Sequence, residues 1–258
     1  MHRTVLPYSG ALRACWGENR RISLSIVLWL LAAVALLAFL YWLIVVGEGT
    51  YLGRSAVRLI YQLGASVYDQ ARGNVTASDE AQLLPLLRTA LAGKPGPQVL
   101  DVATGTARVP LLLAAQPWFD GAIAGLDLTP AMLARARSKL NVAGLEARVA
   151  LRQGDAGNLP WLDASFDLVI SLEALEFFPR PRRALAEMAR VLRPGGVLIV
   201  SKYPDLWARV LPFKGLTRRG MTRLLDRLGL VEIAIREWQP GHYELVTARL
   251  SSKLRVKS

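Results

Sequence analysis

The sequence predicts an α/β fold: a doubly wound, mostly parallel seven-stranded sheet closed by an antiparallel C-terminal hairpin and preceded by a single transmembrane helix. Three observations carry this reading. Residues 22–46 form an uncharged apolar run, strand and helix patterns alternate from residue 98 onward, and Pro240-Gly241 joins two strand-like runs near the C-terminus. The chain has 258 residues, 52% of them hydrophobic, which excludes intrinsic disorder. One Cys excludes an internal disulfide framework, and two His (His2 and His242) exclude a structural zinc cluster or a mechanism built on several imidazoles. Thirty-two Lys+Arg against twenty Asp+Glu give a net charge of +12, which calls for an anionic partner, a nucleic acid or a membrane surface.

The apolar run reads ISLSIVLWLLAAVALLAFLYWLIVV. As a helix it is roughly 37 Å long against a hydrocarbon core of roughly 30 Å, so it spans a bilayer with moderate tilt. Trp29, Tyr41 and Trp42 are its amphipathic anchors. No small-residue cleavage site follows Val46, so a retained single-pass anchor is expected rather than a cleaved signal. Residues 1–21 are then a basic tail, 22–46 the transmembrane helix, 47–94 an amphipathic linker with pocket-covering helices, and 95–258 the main domain. Arg3, Arg13, Arg20 and Arg21 before the span outnumber Arg54 and Arg58 just after it. That count puts the tail in the cytoplasm, whereas supply of a cytosolic metabolite and the arginine-rich body put the main domain there.

Leu52, Ala56, Leu59, Ile60, Leu63 and Val67 repeat at helical spacing, with Arg54, Arg58 and Gln62 on another face. Such a helix lies in a lipid interface or packs over the domain that follows. Residues 73–79 read as a loop, with Ser78 or Asp79 capping a helix that runs toward Leu91. Gly93-Lys94-Pro95-Gly96-Pro97 breaks the chain. Strands follow over 98–102, 122–128, 148–152, 167–172 and 197–202. Between them lie a helix from Arg108, a helix opened by Thr129-Pro130 and stopped by Gly144, and a helix ended by Pro194-Gly195-Gly196. A helix over 217–228 and strands over 231–238 and 243–250 complete the chain.

Ligands of such sheets bind outside the carboxyl ends of the strands. The first such loop, D-V-A-T-G-T-A over 101–107, has one of the three glycines that a pyrophosphate requires, with Ala103 and Ala107 flanking Gly105. A dinucleotide is thereby disfavoured, while a smaller carboxylate group fits. Asp127 ends the second strand, where a carboxylate accepts both hydroxyls of a ribose. Asp155, in G-D-A-G-N-L-P, is placed to accept an exocyclic amine, and Ser171, Leu172 and Glu173 end the fourth strand.

These segments, with S-F-D over 165–167 and L-R-P-G-G over 192–196, resemble the class I S-adenosylmethionine-dependent methyltransferases across roughly residues 95–250. The first loop is similar to that of the ubiquinone/menaquinone methyltransferase group. The resemblance implies a Rossmann-like methyltransferase fold and S-adenosyl-L-methionine as cofactor. Asp101, Ala103, Thr104, Gly105 and Thr106 would lie along its methionine part and Asp127 would bind the ribose. Leu128 and Met132 would flank the adenine, with Asp155 and Ala156 at its edge and Ser171 and Leu172 on the pocket floor. Tyr68-Asp69 resembles a pair that covers the pocket, so Tyr68 is a substrate-side candidate. Ala107 stands where the family has a last glycine, and E-A-L-E-F-F after Leu172 departs from the quinone enzymes.

A sulfonium is already an activated methyl donor, so in-line positioning supplies most of the acceleration. Where the acceptor needs a base, Glu173, Glu176 and His242 are the candidates. The expected enzyme is therefore membrane-anchored, with its domain on the cytoplasmic face, acting on a lipophilic or membrane-associated acceptor: a phospholipid, a quinone or another isoprenoid. Arginines at 180, 182, 183, 218, 219 and 223 would face anionic head groups. A nucleic-acid substrate is disfavoured by the apolar span and by the lack of an aromatic-interleaved basic segment.

Overall fold

A computed structural model describes residues 15–47, 49–72, 76–210 and 215–252, and the chain divides into two compact units, Met1–Glu48 and Gly49–Ser258. In the first unit, helix α1 (Cys15–Tyr41) passes into a single wider π turn, Trp42–Val46. The helix starts seven residues before the apolar run, because Glu18, Arg20 and Arg21 are themselves good helix formers. Part of the expected tail is thus helical, while Arg3 and Arg13 lie outside the described residues. Leu24–Ile44, 21 residues with a mean hydropathy of 2.6, is long and apolar enough to cross a membrane by length and composition.

The second unit opens with three short helices, α2 (Arg54–Gly64), α3 (Tyr68–Arg72) and α4 (Thr76–Gln82), followed by α5 (Leu84–Leu91). The loop expected over 73–79 is helical from Thr76, and the one helix expected to reach Leu91 is two. Pro85, which has no N–H to donate, sits in the first turn of α5, where none is needed. Asp79 caps nothing; it lies inside α4 and is buried against Arg108.

Strands β1 (Gln98–Val102), β2 (Ala122–Asp127), β3 (Val149–Gln153), β4 (Phe166–Ser171), β5 (Leu192–Lys202), β6 (Leu230–Gln239) and β7 (Tyr243–Leu250) form one sheet in the order β3-β2-β1-β4-β5-β7-β6. β1 through β5 pair in parallel, and β7 runs antiparallel to both β5 and β6. Helices α6 (Arg108–Ala114), α7 (Pro130–Val142) and α8 (Pro181–Val191) connect the parallel strands, and α9 (Asp205–Val210) and α10 (Arg218–Arg227) follow β5. One departure concerns the Pro-Gly-Gly segment. It was expected to end α8, but α8 stops at Val191 and β5 already begins at Leu192. The ladder then jumps from Leu192 opposite Phe166 to Val197 opposite Leu168, so residues 193–196 bulge out and Pro194 owes no ladder bond.

Strand alternation builds a core on each face of the sheet. Leu100, Val102, Val169, Leu198 and Val200 pack with Leu185 and Met188 of α8 and with Met221 and Leu225 of α10. Val99, Ile123, Leu168, Ile170 and Ile199 pack with Leu87 of α5, Leu113 of α6 and Leu140 of α7. Both faces being covered explains why these strands are nearly continuous runs of Val, Leu and Ile. The strand order reverses around β1, which opens a crevice beyond the carboxyl ends of β1, β2 and β4.

The entry to β2 is tightly constrained. A Cβ at Gly121 would stand 2.1 Å from the Pro97 carbonyl oxygen and 2.9 Å from the Phe119 ring. Gly121→Ala must therefore push β2 away from the residue that precedes β1, and we expect it to lower stability by about 2 kcal/mol, read as a lower midpoint of thermal unfolding.

Candidate active site at the strand ends

The crevice is organised around the carboxylate of Asp127. Its Oδ2 accepts a hydrogen bond from the Gly105 N–H at 2.9 Å and its Oδ1 accepts one from the Thr129 N–H at 2.8 Å. The side chain thus ties the loop after β1 to the first turn of α7. Burial raises its pKa, and the N–H groups of Thr129 and Gly105 work against that rise. Thr129 occupies the N-cap position of α7, as expected, but without a side-chain cap bond; Asp127 receives its N–H instead.

The loop itself is conformationally demanding. Gly105, at φ +54°, stands between two alanines that also take left-handed conformations, Ala103 at φ +60° and Ala107 at φ +67°. Alanine pays roughly 1–2 kcal/mol for such a conformation, so this loop stores strain that the surrounding contacts must hold. The hydroxyl of Thr104 donates to Asp101 Oδ2 at 2.6 Å, and the Thr104 N–H donates to the Leu126 carbonyl at 3.0 Å. Asp155 forms a turn of its own: its Oδ1 accepts from the Gly157 N–H at 2.8 Å.

Residues 50–72 cover this crevice through polar contacts distributed along the segment. Arg54 Nη1 reaches Asp155 Oδ2 at 3.4 Å, and Gln62 Oε1 accepts from the Ala131 N–H at 3.2 Å. Arg135 donates to the Ser66 carbonyl at 2.9 Å, and the Thr106 hydroxyl donates to Asp69 Oδ1 at 2.7 Å. Lys139 Nζ also reaches Asp69 Oδ1, at 3.2 Å. Partial burial works against the charge on Asp69, yet Thr106 and Lys139 outweigh it and hold the carboxyl below its usual pKa. Tyr68 rests over the loop, with its ring 3.9 Å from where a Gly105 side chain would begin.

Two adjoining cavities result. The first is lined among others by Val57, Tyr61, Leu128, Met132, Ala156, Phe177 and Phe178. It also holds Asp127, Asp155, Leu172 and Glu173. The second is lined by Asp101, Thr104, Thr106, Asp79, Arg108 and Lys139. Tyr68, Ala103, Gly105 and Leu172 border both. Of the residues singled out from the sequence, the structure gathers Tyr68, Asp101, Ala103, Thr104, Gly105, Thr106, Asp127, Leu128, Met132, Asp155, Ala156, Leu172 and Glu173 around these cavities.

It does not bring Ser171, Glu176 or His242 to either lining. Ser171 is fully buried, and its hydroxyl finds no hydrogen-bond partner among the described residues. Glu176 faces the segment after β5, where its Oε1 accepts from the Tyr203 N–H at 2.5 Å while its Oε2 has no hydrogen-bond partner among the described residues. His242 is exposed at the turn between β6 and β7. Of the three candidate bases only Glu173 reaches the crevice. There its Oε1 is held by Arg108 Nη1 at 2.7 Å and by Gln239 Nε2 at 2.9 Å. Arg108 in turn grips Asp79 with two donors and lies 5.4 Å over the Trp238 ring. Sequence reading missed Arg54, Val57, Tyr61, Arg108, Phe177 and Phe178 as crevice residues. Only Val57 and Tyr61 left a trace, an i, i+4 pair on the face of α2 away from Leu59 and Leu63.

A mostly parallel sheet with its crevice at the switch point, an acid ending β2 and a loop with a single glycine define a Rossmann-like fold. Residues 100–200 match the family model described as "Methyltransferase domain". It is 37% identical over 136 residues to a phosphatidylethanolamine N-methyltransferase of Cereibacter sphaeroides, covering 52% of this chain and 62% of the relative. It is 39% identical over 106 residues to a demethylmenaquinone methyltransferase of Desulfitobacterium hafniense (strain Y51), covering 41% of this chain and 42% of that one. The chain thus spans less than two thirds of the length of these curated relatives. Among solved structures it resembles the [4+2]-cyclase SpnF, with a TM-score of 0.63 at 19% identity over 77% of this chain and 96% of the other. That likeness speaks for the fold alone, since one fold hosts unrelated reactions.

Glu176 sets a pH dependence. Burial pushes its pKa from 4.5 up to about 7, against the opposing pull of the Tyr203 N–H and Lys202. A carboxyl whose folded pKa is raised stays protonated in the native state while the unfolded chain has already lost the proton, so stability falls as pH rises between these values. The cost at pH 8 is on the order of 3 kcal/mol. Glu176→Gln keeps an acceptor for Tyr203 and removes the titration. We expect its unfolding midpoint to gain on the unmodified protein between pH 5 and pH 8, measured by thermal denaturation at each pH.

Proposed function

We propose that this protein is a membrane-anchored methyltransferase that moves a methyl group from S-adenosylmethionine to a lipophilic or membrane-associated acceptor, a phospholipid, quinone or other isoprenoid, with its domain on the cytoplasmic face. The observation that carries the reading is the buried Asp127 carboxylate beside a loop with a single glycine. Its two backbone bonds take two of about four lone-pair sites, and with Asp127 lining the cavity the remaining capacity would serve the hydroxyls of a ribose. Leu128, Met132 and Ala156 supply apolar walls for a purine, and Asp155 accepts its amine once the loosely held Arg54 swings aside.

The polar second cavity suits the amino-acid tail. Arg108 and Lys139 offer positive charge there, Asp69, Asp79 and Asp101 offer negative charge, and Tyr68 stands at the passage between the two spaces. The cofactor supplies an activated methyl on a sulfonium, so the chain's residues need only orient the acceptor and exclude water. Val57, Tyr61, Leu172, Phe177 and Phe178 form the apolar side that would receive a lipophilic acceptor. Glu173, held by Arg108 and Gln239, positions that arginine rather than acting as an unengaged base. The lipid and quinone acceptors named for the two relatives, together with the apolar helix, support this substrate class.

Asp127→Ala should weaken S-adenosylmethionine binding by about 2 kcal/mol, the scale of lost charge-assisted hydrogen bonds. Calorimetry reads this directly, and unchanged affinity in a folded variant removes Asp127 from the site. Incubating the purified protein with native lipid extract and methyl-labelled S-adenosylmethionine should place label in the lipid fraction. Label confined to water-soluble products would overturn the choice of acceptor.

A further inference from the structure

The crevice end of the second unit carries its exposed apolar surface in two patches. On and beside α2, Leu52, Leu59, Leu63 and Val67 are 53–73% exposed, although Val57 and Tyr61 of the same helix face the cavity. The second patch is Leu206 and Trp207 on α9, 72% and 52% exposed. α9 begins three residues beyond the carboxyl end of β5 and is held there by Lys202 Nζ, 3.3 Å from Asp205. Both patches therefore stand at the end of the sheet where the cavities open. The neighbouring surface is basic: Arg58 beside the first patch and Arg209 beside the second are exposed and have no acidic partner among the described residues. The apolar segment Leu24–Ile44 ends ten residues before Arg54, which keeps α2 within reach of any bilayer that segment enters.

We propose that this end of the domain docks on an anionic lipid surface, with the leucines of α2 and Trp207 in the boundary between head groups and acyl chains and the arginines at the phosphates. The inference rests on the membrane-anchored reading above and adds the orientation of the crevice: its mouth faces the bilayer, so an acceptor enters from lipid without crossing water. Amphipathic helices bind in this way when buried apolar area and attraction to anionic lipid act together.

The test uses the full chain in vesicles of phosphatidylcholine and phosphatidylglycerol. Cys15→Ser is combined in turn with Leu63→Cys, Trp207→Cys or Val142→Cys, each labelled with an environment-sensitive fluorophore. Val142 is the control, being exposed at the far end of α7, away from the crevice. Labels at 63 and 207 should lose most of their emission to doxyl-labelled lipid, and the label at 142 should keep its own. The loss should weaken when phosphatidylglycerol is left out. Equal emission at all three positions overturns the docking, and energy transfer between labelled chains without lipid quenching assigns the patches to a second copy instead. Flotation with the vesicles reports anchoring separately, so a chain that floats with unquenched labels refutes docking and leaves the anchored methyltransferase standing.

Discussion

The site depends on one carboxylate held in a place where carboxylates are costly. Asp127 is buried at the end of β2, and the N–H groups of Gly105 and Thr129 offset part of the cost of its charge. Those bonds fix the loop after β1 and the first turn of α7 at the same time, so the two walls of the crevice share one hinge point. The strain at Ala103 and Ala107 is sustained by the same arrangement, because the loop between them is pinned at Gly105 by Asp127 and at Thr104 by Asp101. Where a dinucleotide fold spends glycines to bring backbone against phosphate, this loop keeps methyl groups and a tighter opening.

The covering segment works on a different scale of energy. Its links to the domain are single hydrogen bonds and partly exposed ion pairs, each of small worth in water. Arg54, with its side chain 68% exposed, adds little stability to Asp155. A cover fastened by several weak contacts yields one contact at a time. The pocket floor, in contrast, is fastened by the Arg108 cluster, where a buried cation meets Asp79 and Glu173 under the Trp238 ring.

How much of this was readable in advance divides along physical lines. The sheet was legible because β1, β2, β4 and the second half of β5 are largely buried on both faces and so spell out apolar runs separated by turn residues. Asp127 and Asp155 were legible because Asp127 ends β2 and Asp155 stands beside Gly154 in the turn after β3, positions where a solvated loop acid is the alternative. Arg108 was not, since its partners Asp79 and Glu173 lie 29 and 65 residues away and no local pattern joins them. Glu176 was read as a candidate base from its place after β4, yet its side chain turns away from the crevice toward Tyr203, a choice made by packing after β5 rather than by its own neighbours. The break between α4 and α5 was missed because Pro85 sits where proline is tolerated, and the loop was drawn too long because Thr76 to Asp79 are residues at home in either state.

The strand order also bears on how the protein is made. β7 is the last strand to leave the ribosome but sits between β5 and β6. Until it emerges, β6 has no neighbour to pair with and the flank of β5 from Val197 to Lys202 is bare. The ladders that join β1, β2, β3 and β4 need none of these later residues. Synthesis therefore completes the ladders of β1 to β4 before the sheet is closed, and in the interval the nascent chain carries an open strand edge along β5, while the Glu173 and Arg108 cluster still waits for Trp238 and Gln239 of β6.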